Sequence, residues 1–127
     1  MTTVARIIGA GLPALTAESI AGTSATNTLT AAGTTQADAN PIRFDITCYG
    51  SVASGAGAVL PSTSDVGDTR FIKNVGANAL LVYPPVGGQI DALSVNAAFS
   101  VPVGKGCTFI KCRSTTLTDF WLTQLGA

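Results

Sequence analysis

The stretch Ile42-Arg43-Phe44-Asp45-Ile46-Thr47-Cys48-Tyr49 alternates apolar and polar residues. Its even positions are Ile42, Phe44, Ile46 and Cys48; its odd positions begin Arg43, Asp45, Thr47. A period of two is that of a strand with one covered face. The pattern puts Cys48 on the buried face, where a free thiol behaves as a small hydrophobe.

Downstream, short apolar runs keep alternating with turn residues. Ala58-Val59-Leu60 is stopped by Pro61, and Pro61–Asp68 is a polar loop. Thr69–Val75 and Ala79–Tyr83 read as strands joined by the hairpin turn Asn74-Val75-Gly76-Ala77-Asn78, because Asn and Gly tolerate positive φ. Pro84 and Pro85 break the sheet by removing backbone donors. Gln89–Leu93 is expected as a short edge strand, followed by Ala97–Val101, Cys107–Arg113 and Asp119–Leu125. Turns recur about every 8–12 residues, which predicts an all-β fold. The expected architecture is a β-sandwich or small β-barrel of about seven or eight short antiparallel strands.

Upstream, residues 1–40 are rich in Ala, Thr and Gly and hold no aromatic residue, so they can contribute little to a core. Residues 1–26 are expected to form an extended N-terminal arm and residues 27–127 the β-domain. Within the first 40 residues, a short strand is expected near Asn27–Ala32 and a helical turn at Leu12–Ile20, with Pro13 near its start.

The 127 residues carry seven Lys+Arg against seven Asp+Glu, so the net charge is zero; only 11% are charged and none is His. A nucleic-acid binder would need a basic surplus, so no specific nucleic-acid partner is expected. Low net charge favours association, and the aromatic residues available for an isolated core are few. A homo-oligomer, most simply a homotrimer, is therefore expected. No run approaches the ~18 apolar residues of a membrane helix, so no membrane partner is expected. The start Met1-Thr2-Thr3-Val4-Ala5-Arg6 does not have the form of a secretory signal, which suggests synthesis in a cytoplasm.

Enzyme chemistry finds little material. The commonest general base is missing with His, and the single Glu is Glu18. Asp65 and Asp68 could be imagined as a carboxylate pair or a weak Ca²⁺ site, but in a Ser/Gly loop they read as turn residues. The Gly-rich stretches at Gly9, Gly55 and Gly104 are not followed by phosphate-cradling helices. No catalytic residue, metal site or cofactor is expected. Cys107 and Cys112 lie five steps apart on one strand, roughly 16 Å, too far for a disulfide within the chain.

In the last strands Cys107, Phe109, Lys111 and Arg113 share one face, and Thr108, Ile110 and Cys112 the other. Neither face is cleanly apolar, as suits a strand at an interface or, equally, an edge strand. Cys107, beside two charges, is the thiol expected to be exposed, and Cys107, Phe109, Lys111 and Arg113 are the expected intermolecular contact. Lys105, Lys111 and Arg113, with Arg70 and Lys73, form a weak basic cluster best read as solvated surface.

Several phrases, in order, carry a resemblance. They are Leu29-Thr30-Ala31-Ala32-Gly33-Thr34-Thr35-Gln36-Ala37, Gly67-Asp68-Thr69-Arg70-Phe71-Ile72-Lys73-Asn74-Val75-Gly76, Val82-Tyr83-Pro84-Pro85-Val86-Gly87-Gly88-Gln89-Ile90, and Asn96-Ala97-Ala98-Phe99-Ser100-Val101. The chain resembles small β-rich virion structural proteins of tailed bacteriophages and prophages. That resemblance implies a particle component without enzymatic residues, either a capsid decoration (cement) protein bound to the major capsid protein on the virion surface, or a tail, baseplate or head-fibre component that binds another virion protein or a host glycan.

Overall fold

A computed structural model describes residues 23–25 and 27–126. The expected helical turn at Leu12–Ile20 and most of the expected arm lie outside the described residues. Ten strands are present among the described residues: β1 Leu29–Thr30, β2 Asn40–Pro41, β3 Ile46–Ser51, β4 Gly57–Val59, β5 Thr69–Asn74, β6 Leu80–Tyr83, β7 Gln89–Ile90, β8 Phe99–Val101, β9 Gly106–Cys112 and β10 Phe120–Leu125. They form two sheets. The large sheet has six strands in the order β1-β3-β5-β9-β10-β7, and the small sheet four in the order β2-β4-β6-β8.

The fold is all-β, as the periodicity predicts, but the pairing is mixed rather than antiparallel. Up to Tyr83 the chain alternates between sheets strand by strand. Neighbours within each sheet, β1/β3/β5 and β2/β4/β6, are therefore parallel. Parallel strands need a crossover, and here the crossover of each sheet is a strand of the other. Beyond Tyr83, β8 runs antiparallel to β6, β9 antiparallel to β5 and β10 antiparallel to β9. β7 closes the edge parallel to β10, as the expected short edge strand.

This winding changes two readings. Asn74–Asn78 is not a hairpin turn, because β5 and β6 belong to different sheets. It is a corner, held by the buried Asn74 side chain. Asn74 Nδ2 donates to Asn78 O (2.9 Å) and Val101 O (3.0 Å), and Asn74 Oδ1 accepts from Gly76 N (2.9 Å). A fully satisfied buried amide fixes a turn strongly. Gly76 is required there by proximity rather than by φ, since a Cβ would lie 2.8 Å from the Val52 backbone nitrogen.

Residues 42–49 are likewise not one strand. Pro41 ends β2 in the small sheet and Ile46 begins β3 in the large one, with a bend between. Crossing the core reverses which parity faces inward. Ile42 is buried from the small-sheet side, but in β3 the buried residues are Thr47 and Tyr49. Ile46 is 49% exposed and Cys48 only half-buried, so Cys48 does not sit in the core.

Both sheets contribute to one core. Tyr49, Ile72, Phe109 and Trp121 from the large sheet meet Ala58, Leu80, Val82 and Val101 from the small one. Phe99 of β8 meets Phe109 of β9 edge to face, with centroids 5.8 Å apart, a favoured aromatic geometry. Tyr49 Oη donates to Asn40 Oδ1 across the same gap (2.9 Å).

Candidate interaction surface

β9 runs through the middle of the large sheet, so its alternation must serve two environments. Its odd residues face inward. Cys107, Phe109 and Lys111 are buried, and of the expected contact residues only Arg113, just past the strand, is exposed. The expected interface on Cys107, Phe109, Lys111 and Arg113 is therefore on the wrong face. Cys107 is the most buried thiol rather than the most exposed. Burial pushes the Cys107 thiol up to about 11, with the Asp91 charge adding to the shift and the Gln124 backbone hydrogen bond opposing it.

Lys111 is held inside by neutralisation. Its Nζ donates to Asp119 Oδ1 (2.7 Å) and to Ser64 O (2.7 Å). Both side chains of the ion pair are less than a tenth exposed. The aliphatic stem of lysine tolerates the apolar setting, and the pair pins the Pro61–Asp68 loop to the sheet. In that loop Asp68 Oδ2 accepts from Asp65 N (2.9 Å), the turn chemistry expected of it. Arg70 is also engaged, donating through Nη1 to Asp45 Oδ1 (2.7 Å). The expected basic cluster thus splits: Arg70 and Lys111 are tied up within the fold, and Lys73 donates to Gly104 O (2.8 Å).

The outer face of the large sheet also carries apolar side chains. Ile46 pairs with Phe71, Phe71 with Thr108, and Thr108 with Gln124. The next row holds Thr69, Ile110 and Leu122, and the row beyond it Cys112 and Phe120. Ile46, Phe71 and Leu122 are 49%, 39% and 42% exposed, while Ile110, Cys112 and Phe120 are half-buried. Of the other large exposed apolar side chains, Val66, Val75, Val86, Val95 and Val103 lie outside the strands and Leu125 ends β10. Gly106 lets the Phe71 ring come close to β9, since a Cβ there would meet the ring at 2.7 Å. A shallow groove of about 410 Å³ runs past Phe71, Lys73, Thr108 and Gln124.

No family model, curated protein or solved structure matched this chain. The surface must be interpreted from its own chemistry. Contiguous apolar patches rimmed by polar residues mark interaction sites, and a flat sheet face suits another protein surface better than a small ligand. One sequence signal pointed to it. Phe120-Trp121-Leu122 places three large apolar residues in a row, and a strand must then show apolar groups on both faces.

At one rim, Thr23-Ser24-Ala25 runs beside β3. Ala25 N donates to Ile46 O and Ile46 N to Thr23 O, each at 3.0 Å, and Ser24 bridges to Ile46 in the parallel sense. Asp45 fixes this segment by accepting from Thr23 N (2.7 Å) and Thr23 Oγ1 (3.1 Å) while it also holds Arg70.

Proposed function

We propose that this chain is a structural component of a tailed-phage particle, a capsid decoration protein with a β-sandwich body that works as a homotrimer on the head surface. The observation that carries this reading is the apolar outer face built on Ile46, Phe71, Ile110 and Leu122. Such a face is suited to assembly with neighbouring protein. A protein that binds only a closed lattice stabilises it by mass action. The resemblance carried by the phrases between Leu29 and Val101 supplies the setting, with the major capsid protein as lattice partner.

The test is co-sedimentation of purified protein with undecorated phage heads. The wild-type chain should pellet with heads and raise their resistance to heat. The variant Phe71→Ser/Leu122→Ser should remain in the supernatant while keeping its far-ultraviolet β-signature. Retention on purified tails but not on heads would defeat the decoration reading.

A further inference from the structure

We propose that the outer face of the large sheet is covered by the N-terminal segment of a second copy of this chain, through Val4, Ile7, Ile8 and Leu12. This deepens the reading of that face as an assembly surface and does not depend on the particle. Three observations converge on it.

The first is where the described chain begins. Thr23 is anchored by Asp45 at the rim of the apolar face, one bridge away from Ile46. The apolar rows Ile110/Leu122 and Cys112/Phe120 lie toward the N-terminal ends of β3 and β5. Thr23 lies at that same end.

The second is the chemistry of those residues. Val4, Ile7, Ile8, Leu12, Leu15 and Ile20 are apolar, and Arg6 and Glu18 are the only charges before Thr23. The face they would cover is itself nearly uncharged, with Lys73 as its cation. Fully extended, 22 residues reach about 70 Å, whereas crossing from β3 to β10 takes about 14 Å. Length is no obstacle.

The third is direction, which selects a second copy over the chain's own segment. Thr23-Ser24-Ala25 runs parallel to β3. Its N-terminal end at Thr23 therefore points past the start of β3. To cover its own face the segment would have to reverse direction, while a neighbour's face can be met without a reversal. Exchange of identical segments is a low-cost route to a closed oligomer.

Cys48 and Cys112 supply a natural probe, because both sit half-buried on strands of this sheet with outward-facing partners Lys73 and Phe120. A tagged full-length copy carrying Ile8→Cys, Cys48→Ser and Cys112→Ser is co-expressed with the untagged natural chain. Mild oxidation should then yield a tagged–untagged disulfide joining position 8 to Cys112 or Cys48. In a separate full-length variant, Ile7→Asp/Ile8→Asp should lower the sedimenting mass toward a monomer. It should also speed alkylation of Cys112 at least about tenfold, since each buried Ile contributes more than a decade of binding. Three results would each overturn the proposal: a monomeric natural chain at micromolar concentration, an alkylation rate indifferent to the double substitution, or, in a second chain carrying Ile8→Cys with Cys48 and Cys112 retained, a link from position 8 to Cys112 that forms only within that chain. Head binding in the earlier test is scored separately, so loss of one result leaves the other readable.

Discussion

The two faces of the large sheet are built from the same strands and differ in what they do with charge and bulk. Inward, Phe109, Lys111 and Trp121 are buried, and the Lys111 ammonium is neutralised by Asp119, as Arg70 of the same face is by Asp45. Outward, Ile110 and Leu122 alternate with them, paired across β9 and β10, the first half-buried and the second exposed. Composition would assign every charge to solvent and every apolar group to the core. The fold departs from this at Lys111, enclosed with Asp119, and at Ile110 and Leu122, which point outward, because an ion pair with its hydrogen bonds made can be enclosed, while apolar groups can be left for a partner. Inner-face changes should therefore register in stability, and outer-face changes in association.

The largest expected effect comes from breaking the enclosed pair. Asp119→Ala leaves Lys111 Nζ buried with only the Ser64 carbonyl, and removing one partner of a buried pair costs about 3–5 kcal/mol. Urea unfolding should show that loss. The double change Lys111→Met/Asp119→Leu should recover much of it, since no lone charge remains. A single Asp119→Ala variant as stable as wild type would mean that water reaches Lys111.

A smaller effect is expected from alkali. The folded chain keeps the Cys107 proton to about pH 11, whereas the unfolded thiol loses it from 9.0 upward. The native state then binds more protons than the unfolded state across that window, so stability falls as pH rises through it. Burial also raises the Tyr49 hydroxyl well above its ordinary value, which adds to the fall at the upper end. The urea midpoint should drop between about pH 8.5 and 10.5, and Cys107→Ala should shrink the drop. A midpoint flat across this range would contradict the enclosure of Cys107.

The smallest concerns Thr47. It lies on the inner face of β3, and its buried Oγ1 has no hydrogen-bond partner among the described residues. Thr47→Val keeps the shape and removes an unpaired hydroxyl, whose burial costs about 1–3 kcal/mol. Thermal unfolding should rise slightly or stay level. A clear loss would show that the hydroxyl is engaged.

The local chemistry of the chain made its all-β class legible. Period-two runs, prolines at Pro61, Pro84 and Pro85, and turn residues between them admit little else. Strand positions from β5 onward lie close to their expected spans, because each is bounded by residues that cannot continue a strand. Pairing was not legible. Asn74–Asn78 has the composition of a hairpin turn, but whether the next strand folds back beside β5 or crosses to the other sheet depends on Val101 and Val52, distant in sequence and adjacent in space.

The same limit governed the candidate surface. Alternation states that two faces differ, and the mixed character of β9 left either of its faces free to be the inward one. Which parity points inward is set by the path of the chain through the core. Ile42 and Ile46 share a parity and a chemistry, yet the crossing between β2 and β3 buries one and exposes the other. Lys111 went inside because Asp119 and the Ser64 carbonyl meet its ammonium there. Sequence by itself determined the strands, their breaks and the scarcity of charge, since these follow from the residues' own backbone and solvation preferences. Only the tertiary structure decided pairing, the inward parity and the exposed face, since each depends on contacts between residues far apart along the chain.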